Sequence, residues 1–198
     1  MSVAPQPHPT QSMPMPPMLA YTVASTPWTN NNPYVVVDVG SKKTNLHPAN
    51  GQDDSFWIVI IDANNPRTKV KEWVIPAAGA TVPAGIGTFM DDPKYIFAVC
   101  TQYLNTLHVP QGAFYDFLVK YGAGRELQKL EQLNAVLGCG GYGHVTYVLT
   151  GQCGPRVQPA PATYEIGSYT NQAILMMSLM PQMNGKPPYA ICDSYTFK

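Results

Sequence analysis

The sequence predicts an α+β fold: a β-rich, sandwich-like domain with two short helices and an extended proline-rich N-terminal arm. Three observations point there. Twenty Pro and sixteen Gly punctuate short β-branched and aromatic runs. A helical period appears in only two stretches, both between residues 110 and 137. Those two stand together between runs of strands instead of alternating with them, which favours α+β over βαβ units. The expected division is an arm over 1–33 and a single β-rich domain over 34–198.

The arm comes first. Pro5, Pro7, Pro9, Pro14, Pro16 and Pro17 fix φ and remove backbone donors, so neither a helix nor a central strand is expected in the first twenty residues. In polyproline II geometry the stretch up to Trp28 reaches about 85 Å, at about 3.1 Å per residue. Met13, Met15, Met18 and Leu19 give it apolar side chains with which to grip a surface. The expected partner-binding residues are therefore Pro14, Met15, Pro16, Pro17, Met18 and Leu19.

In the domain, Tyr34 to Val39 is a β-branched run that reads as a strand, followed by a polar loop over Gly40 to Ser55. Phe56 to Asp62, F-W-I-V-I-I-D, is apolar on both parities, the pattern of a central strand buried on both faces. Asn64-Asn65-Pro66 should turn the chain, and Val70 to Ile75 alternates as a hairpin partner does. Pro76 to Gly87 reads as a loop and Tyr95 to Thr101 as a second buried strand.

Helix signals follow. Pro110 suits a first turn, Phe114, Phe117, Leu118 and Tyr121 share a face, and Gly122 with Gly124 ends the run. Arg125 to Leu137 aligns Leu127, Leu130, Leu133 and Leu137 and stops at Gly138. Strands are expected at Val145 to Thr150, Tyr164 to Ile166, Ile174 to Leu179 and Tyr189 to Thr196.

The glycine-rich segment Leu137 to Gly154 is the obvious place to look for chemistry. Gly138, Gly140 and Gly143 satisfy G-x-G-x-x-G, but a dinucleotide site needs a strand before the glycines and a helix after them. Here the order is reversed, so the segment reads as a joint between helix and strand. Cys139 and Cys153 flank an extended run of about 20 Å and do not suit a mutual disulfide. Buried free thiols and pairing across the sheet with Cys100 or Cys192 stay open, while cysteine gaps of 39, 14 and 39 residues lack a close zinc couple. Cys139 with His144 makes a poor nucleophile and base, since nothing nearby orients the imidazole. His8, His47 and His108 read as solvated. No metal or cofactor is expected.

Twelve Lys and Arg balance twelve Asp and Glu with no basic cluster, which removes the footprint that nucleic acid requires. No signal peptide is visible, and the longest apolar run, Ala173 to Met180, is too short to span a bilayer.

The order F-W-I-V-I-I-D, a second strand and loop, Y-I-F-A-V-C, a helix near Leu137-Gly138, then G-Y-G-H-V-T-Y-V-L-T-G and the turn Gly151 to Gly154 resembles the interleukin-like EMT inducer domain, or GG domain, over about residues 54–154. The family's Arg-Asp-x-Trp segment is replaced by Gly143-His144-Val145-Thr146. Its acidic pair after the third strand is absent from T-Q-Y-L-N-T. What the resemblance implies is a compact sandwich-like fold used for binding glycans or proteins without catalysis; the family's ligand positions are not carried over.

The expected function is a non-catalytic structural or assembly module of a larger particle, a virus or phage virion component held through its arm by other subunits, of its own or another kind. A virion or extracellular location follows from that reading. One alternative is a carbohydrate-binding module stacking sugars on tyrosines, with Tyr142, Tyr169 and Tyr189 as the candidates, and Tyr147, Tyr164 and Tyr195 as further strand tyrosines. Another is a hydrolase using an aspartate pair from Asp53-Asp54, Asp62 or Asp91-Asp92. Met176, Met177, Met180 and Met183 read either as core or as an adaptable contact surface.

Overall fold

A strand that is apolar at every position must have protein on both sides, and this requirement organises the molecule. A computed structural model describes residues 18–26, 35–40, 45–123, 127–132, 144–154, 172–182 and 186–192, with the backbone alone at 163–166, 182, 186 and 187. Strand β4 (Ser55–Asp62) sends Phe56, Ile58 and Ile60 to one side and Trp57, Val59 and Ile61 to the other, all fully buried. It lies between β5 (Asn65–Pro76) and β6 (Tyr95–Gln102), antiparallel to both.

The strands form two antiparallel sheets. The first runs β11 (Lys186–Cys192), β10 (Ala173–Gln182), β1 (Leu19–Ser25), β2 (Val35–Val39), β3 (Asn45–Leu46). The second runs β5, β4, β6, β8 (His144–Gln152), β7 (Leu104–Asn105), with β9 (Thr163–Ile166) also paired to β8. Trp57, Val59, Ile61, Ile96, Ala98, Cys100 and Val148 of the second sheet meet Tyr21, Val23, Val37, Val39, Leu175 and Leu179 of the first. The opposite face of the second sheet carries a separate core beneath the helices, where Phe56, Phe97, Leu149 and Tyr147 pack on Met90, Phe114, Leu118, Leu127 and Leu130. The result is three layers: sheet, sheet, helices.

Helix α2 (Gly112–Lys120) ends as its glycine requires. Gly122, at φ 100°, donates to Val119 O at 3.0 Å and Ala123 to Leu118 O at 2.9 Å, the paired bonds of a Schellman stop. Residues 127–132 are helical, inside the second expected helix. Its remaining positions, 125–126 and 133–137, lie outside the described residues. A four-residue helix, α1 (Gly87–Met90), and one 3-10 turn, Thr106–His108, were not expected.

One boundary needs correcting. The stretch expected to be arm, 1–33, contains β1, which pairs with β10 on one side and β2 on the other. The prolines that forbid a central strand end at Pro17, and L-A-Y-T-V-A-S then alternates well enough to place Tyr21 and Val23 in the core. Similarly the β4–β5 turn falls at Ala63-Asn64, where Asp62 Oδ1 accepts from Asn64 N–H at 2.8 Å; Asn65 and Pro66 already belong to β5. Strand β11 starts at Lys186 rather than Tyr189, with Pro187 and Pro188 tolerated on the edge of its sheet.

Candidate functional site

At one end of the second sheet the chain enters β4, leaves β6 and enters β8, and these three points gather the polar chemistry. The entry to β4 is Asp54 at φ 53° and the exit from β6 is Tyr103 at φ 48°. These are the two non-glycine residues with positive φ among the described residues. Backbone held in that sparse region costs on the order of 1 kcal/mol or more and is kept only where the surroundings over-determine it.

Three bonds hold Asp54. Its backbone carbonyl accepts from Ala77 N–H at 2.8 Å. Its Oδ1 accepts from Asn105 N–H at 2.9 Å, and its Oδ2 pairs with His108 Nδ1. A carboxylate only accepts, so Nδ1 carries the proton and Nε2 is left as the imidazole's other polar atom. His108, read from sequence as solvated, is instead half-buried and hydrogen-bonded to Asp54. It lines an open groove of about 490 Å³ together with Ala77, Ala80, Leu107, Val109 and Gln111.

Across the corner, His144 lies opposite Asn105 in the β7–β8 ladder. Its imidazole stacks on the Tyr103 ring, with centroids 3.6 Å apart and planes inclined by 19°. Burial lowers the His144 pKa; the Asp54 and Asp53 charges pull weakly the other way. Beneath them Gln102 Nε2 donates to Ser55 Oγ at 2.9 Å, and Ser55 Oγ donates to Gln52 O at 2.5 Å.

This corner was missed in the sequence because Asp54 and His108 stand 54 residues apart. The signal was the pairing of two buried strands. Once Ser55 is opposite Gln102, the residue before β4 must sit beside the loop after β6.

The other expected candidates fall as follows. Pro14, Met15, Pro16 and Pro17 lie outside the described residues, as do Tyr142, Tyr169, Tyr195, Met183, Cys139, His8 and the glycines Gly138, Gly140 and Gly143. Met18 is exposed and Leu19, the first residue of β1, is half-buried against the inter-sheet core. Tyr189 is half-buried in β11 against that same core, Tyr147 is fully buried under the helices, and of Tyr164 only the backbone, in β9, is described.

The expected aspartates divide between the two ends of β4, with Asp53 and Asp54 at its start and Asp62, opposite Tyr95, at the end that also carries Asp92. Asp54 and Asp62 stand at opposite ends of β4, about 25 Å apart at about 3.3 Å per residue. Asp92 pairs with Lys94 at 2.8 Å in the turn before β6. Cys100, Cys153 and Cys192 are free. Cys100 faces the first sheet and Cys153 the helices, so the second sheet itself separates them. Burial pushes the Cys153 thiol up to about 12 and raises Cys100 further. Among the described residues no group of three His, Cys, Asp or Glu side chains could hold a metal ion, and no helix is long and apolar enough to cross a membrane.

A second surface lies on the outer face of the first sheet. Met176 and Met180 alternate with buried Leu175, Met177 and Leu179 along β10 and point away from the core, 75% and 44% exposed. Met18, 60% exposed, precedes β1 on the same side. Neither β1 nor β10 contains a charged residue.

The chain matches no family model and no curated protein.

Proposed function

We propose that this chain is a non-catalytic assembly module, a structural subunit held in a larger particle through its N-terminal arm, with a virion as the particle its neutral, Pro- and Gly-rich composition suits. The observation that carries this reading is where the arm is rooted. Residues 1–17 lead through Met18 into β1, which pairs with β10 over Leu19–Ser25 and with β2 over Tyr21–Ser25. A load on the arm is therefore borne in shear by two ladders of backbone bonds, a firm anchorage for a tether. Exposed methionines at and beside the root, Met18, Met176 and Met180, supply an adaptable apolar contact surface.

Sedimentation of the full chain and of one lacking residues 1–17, both in an extract of the source organism, tests this. The full chain should travel with a large species and the shortened chain should stay at the top as a folded subunit. Equal profiles would remove the reading.

A second reading, a carbohydrate-binding module, draws on the polar corner. The His108 imidazole in the wall of a groove of about 490 Å³, with the Tyr103 ring at the exit of β6, suits a neutral polyhydroxyl ligand. It also accords with the resemblance to the GG domain. A glycan array separates the two, because a pure assembly subunit gives no saccharide-specific signal.

A further inference from the structure

We propose that the arm of one copy lies in polyproline II form across the outer face of the first sheet of a second copy, with Met13 and Met15 against that copy's Met176 and Met180. This rests on the assembly reading and names the surface that receives the arm.

The receiving face is defined by strand parity. Leu19, Tyr21 and Val23 of β1 and Leu175, Met177 and Leu179 of β10 face the core. Their alternates, Ala20 and Thr22 with Met176, Ser178 and Met180, form the opposite face. The register sets Ala20 against Ser178 and Thr22 against Met176, so small residues form a shallow floor between two projecting methionines. In β11, Ala190 opposite Met180 and Cys192 opposite Ser178 extend the floor.

The occupant is argued from charge, length and stiffness. The first charged residue of the chain is Asp38, so the arm is as neutral as β1 and β10. Binding along β1 and β10 would desolvate no ion of those strands, and the charge that borders the face is Asp38 of β2, opposite Thr22. At about 3.1 Å per residue, seventeen residues in polyproline II span about 50 Å, and a seven-residue strand such as β1 spans about 23 Å. Met15 and Met13 stand four and six residues before Leu19, about 12 and about 19 Å away at about 3.1 Å per residue, so the receiving face must adjoin the root of the arm, and the twelve residues before Met13 run on beyond it.

Folding back onto its own subunit is opposed by the residues nearest the root. Returning over β1 needs a reversal between Met13 and Met18. Pro14, Pro16 and Pro17 fix φ there, and Met13 and Met15, each preceding a proline, are held extended as well. M-P-M-P-P-M is therefore a poor place for the chain to reverse, which favours a neighbour's face over its own. A preformed polyproline II segment also loses little conformational entropy on docking.

The test uses purified full chains and sedimentation equilibrium. Met15→Lys and Met176→Glu should each weaken self-association about tenfold or more, since a charge is left in an apolar contact. Met176 is exposed, so neither substitution should move the melting temperature. Mixing the M15K chain with the M176E chain should restore association in trans, through a lysine from one copy meeting a glutamate on the other.

Failure of M176E to weaken association, or absence of recovery in the mixture, would overturn this surface. A monomeric wild-type chain would overturn it too. If the shortened chain still lost its large species in the extract in any of these cases, the assembly reading would stand with a different receiver. If the extract profiles were also equal, both would fall.

Discussion

Two influences act on the proton of His144 in opposite directions. Withdrawal from water against the Tyr103 ring disfavours the imidazolium, and Asp54 and Asp53 favour it; burial dominates, so the folded-state pKa lies below the ordinary value of about 6.5. Between those two values the unfolded chain binds more protons than the folded one, and stability falls as pH falls. The contribution is complete above about pH 6.5 and is lost as pH drops through the folded-state value. Replacing His144 by Gln removes the titration. The wild type should therefore lose more stability than H144Q between about pH 7.5 and about pH 5, read from urea midpoints. Equal losses would show that His144 takes up its proton as readily folded as unfolded. The corner was illegible in sequence for a related reason: His144, Tyr103, Asp54 and His108 come from four segments, and no local pattern marks residues that meet through sheet register.

At the scale of elements, the two sheets are joined by side-chain bonds as well as by apolar contact. Tyr21 of β1 reaches Thr150 of β8, with oxygens 2.8 Å apart, and Thr150 Oγ1 donates to Phe97 O of β6 at 2.6 Å. A threonine hydroxyl has one proton, so Tyr21 must be the donor to Thr150. Burial raises the Tyr21 pKa far above its usual value, which keeps that proton in place. Tyr21→Phe should cost about 0.5–1.5 kcal/mol. Thr150→Val should cost about 1–3 kcal/mol, because it leaves a buried phenol hydroxyl with no acceptor. The double variant removes donor and acceptor together and should cost less than the two singles summed, a coupling readable in a double-mutant cycle. Strict additivity would mean that the bond contributes nothing to holding the sheets. The elements themselves were legible where packing is two-sided: F-W-I-V-I-I-D, Y-I-F-A-V-C and V-T-Y-V-L-T have an apolar or hydroxyl-bearing residue at nearly every position because one face meets the first sheet and the other the helices. Short pieces held by neighbours, such as β3, β7 and α1, carry no period of their own and could not be read.

For the whole molecule, the decisive question is where the arm stops and the body starts, and composition answers it wrongly. Proline density marks the arm, yet Trp28, Asn30 and Pro33 keep the sequence loop-like well past a strand that the first sheet depends on. Removing residues 1–17 takes away no described contact and should leave the melting temperature within a few degrees of the full chain's. Removing residues 1–25 deletes β1 and, with it, the fully buried Tyr21 and Val23, worth about 1.5–3 kcal/mol each. It also strips both ladders that β1 makes, leaving β2 and β10 with unpaired edges across the gap. The inner faces of Trp57, Val59, Ile96 and Val148 would then meet water. A loss of that size is comparable to the entire stability of a domain, typically about 5–15 kcal/mol. The longer deletion should therefore yield an aggregating chain with no cooperative melt and no near-ultraviolet circular dichroism, while the shorter one keeps both. A cooperative melt from the chain lacking residues 1–25 would mean that the second sheet and its helices form a self-sufficient body, and that the first sheet, β1 included, is an attachment to it.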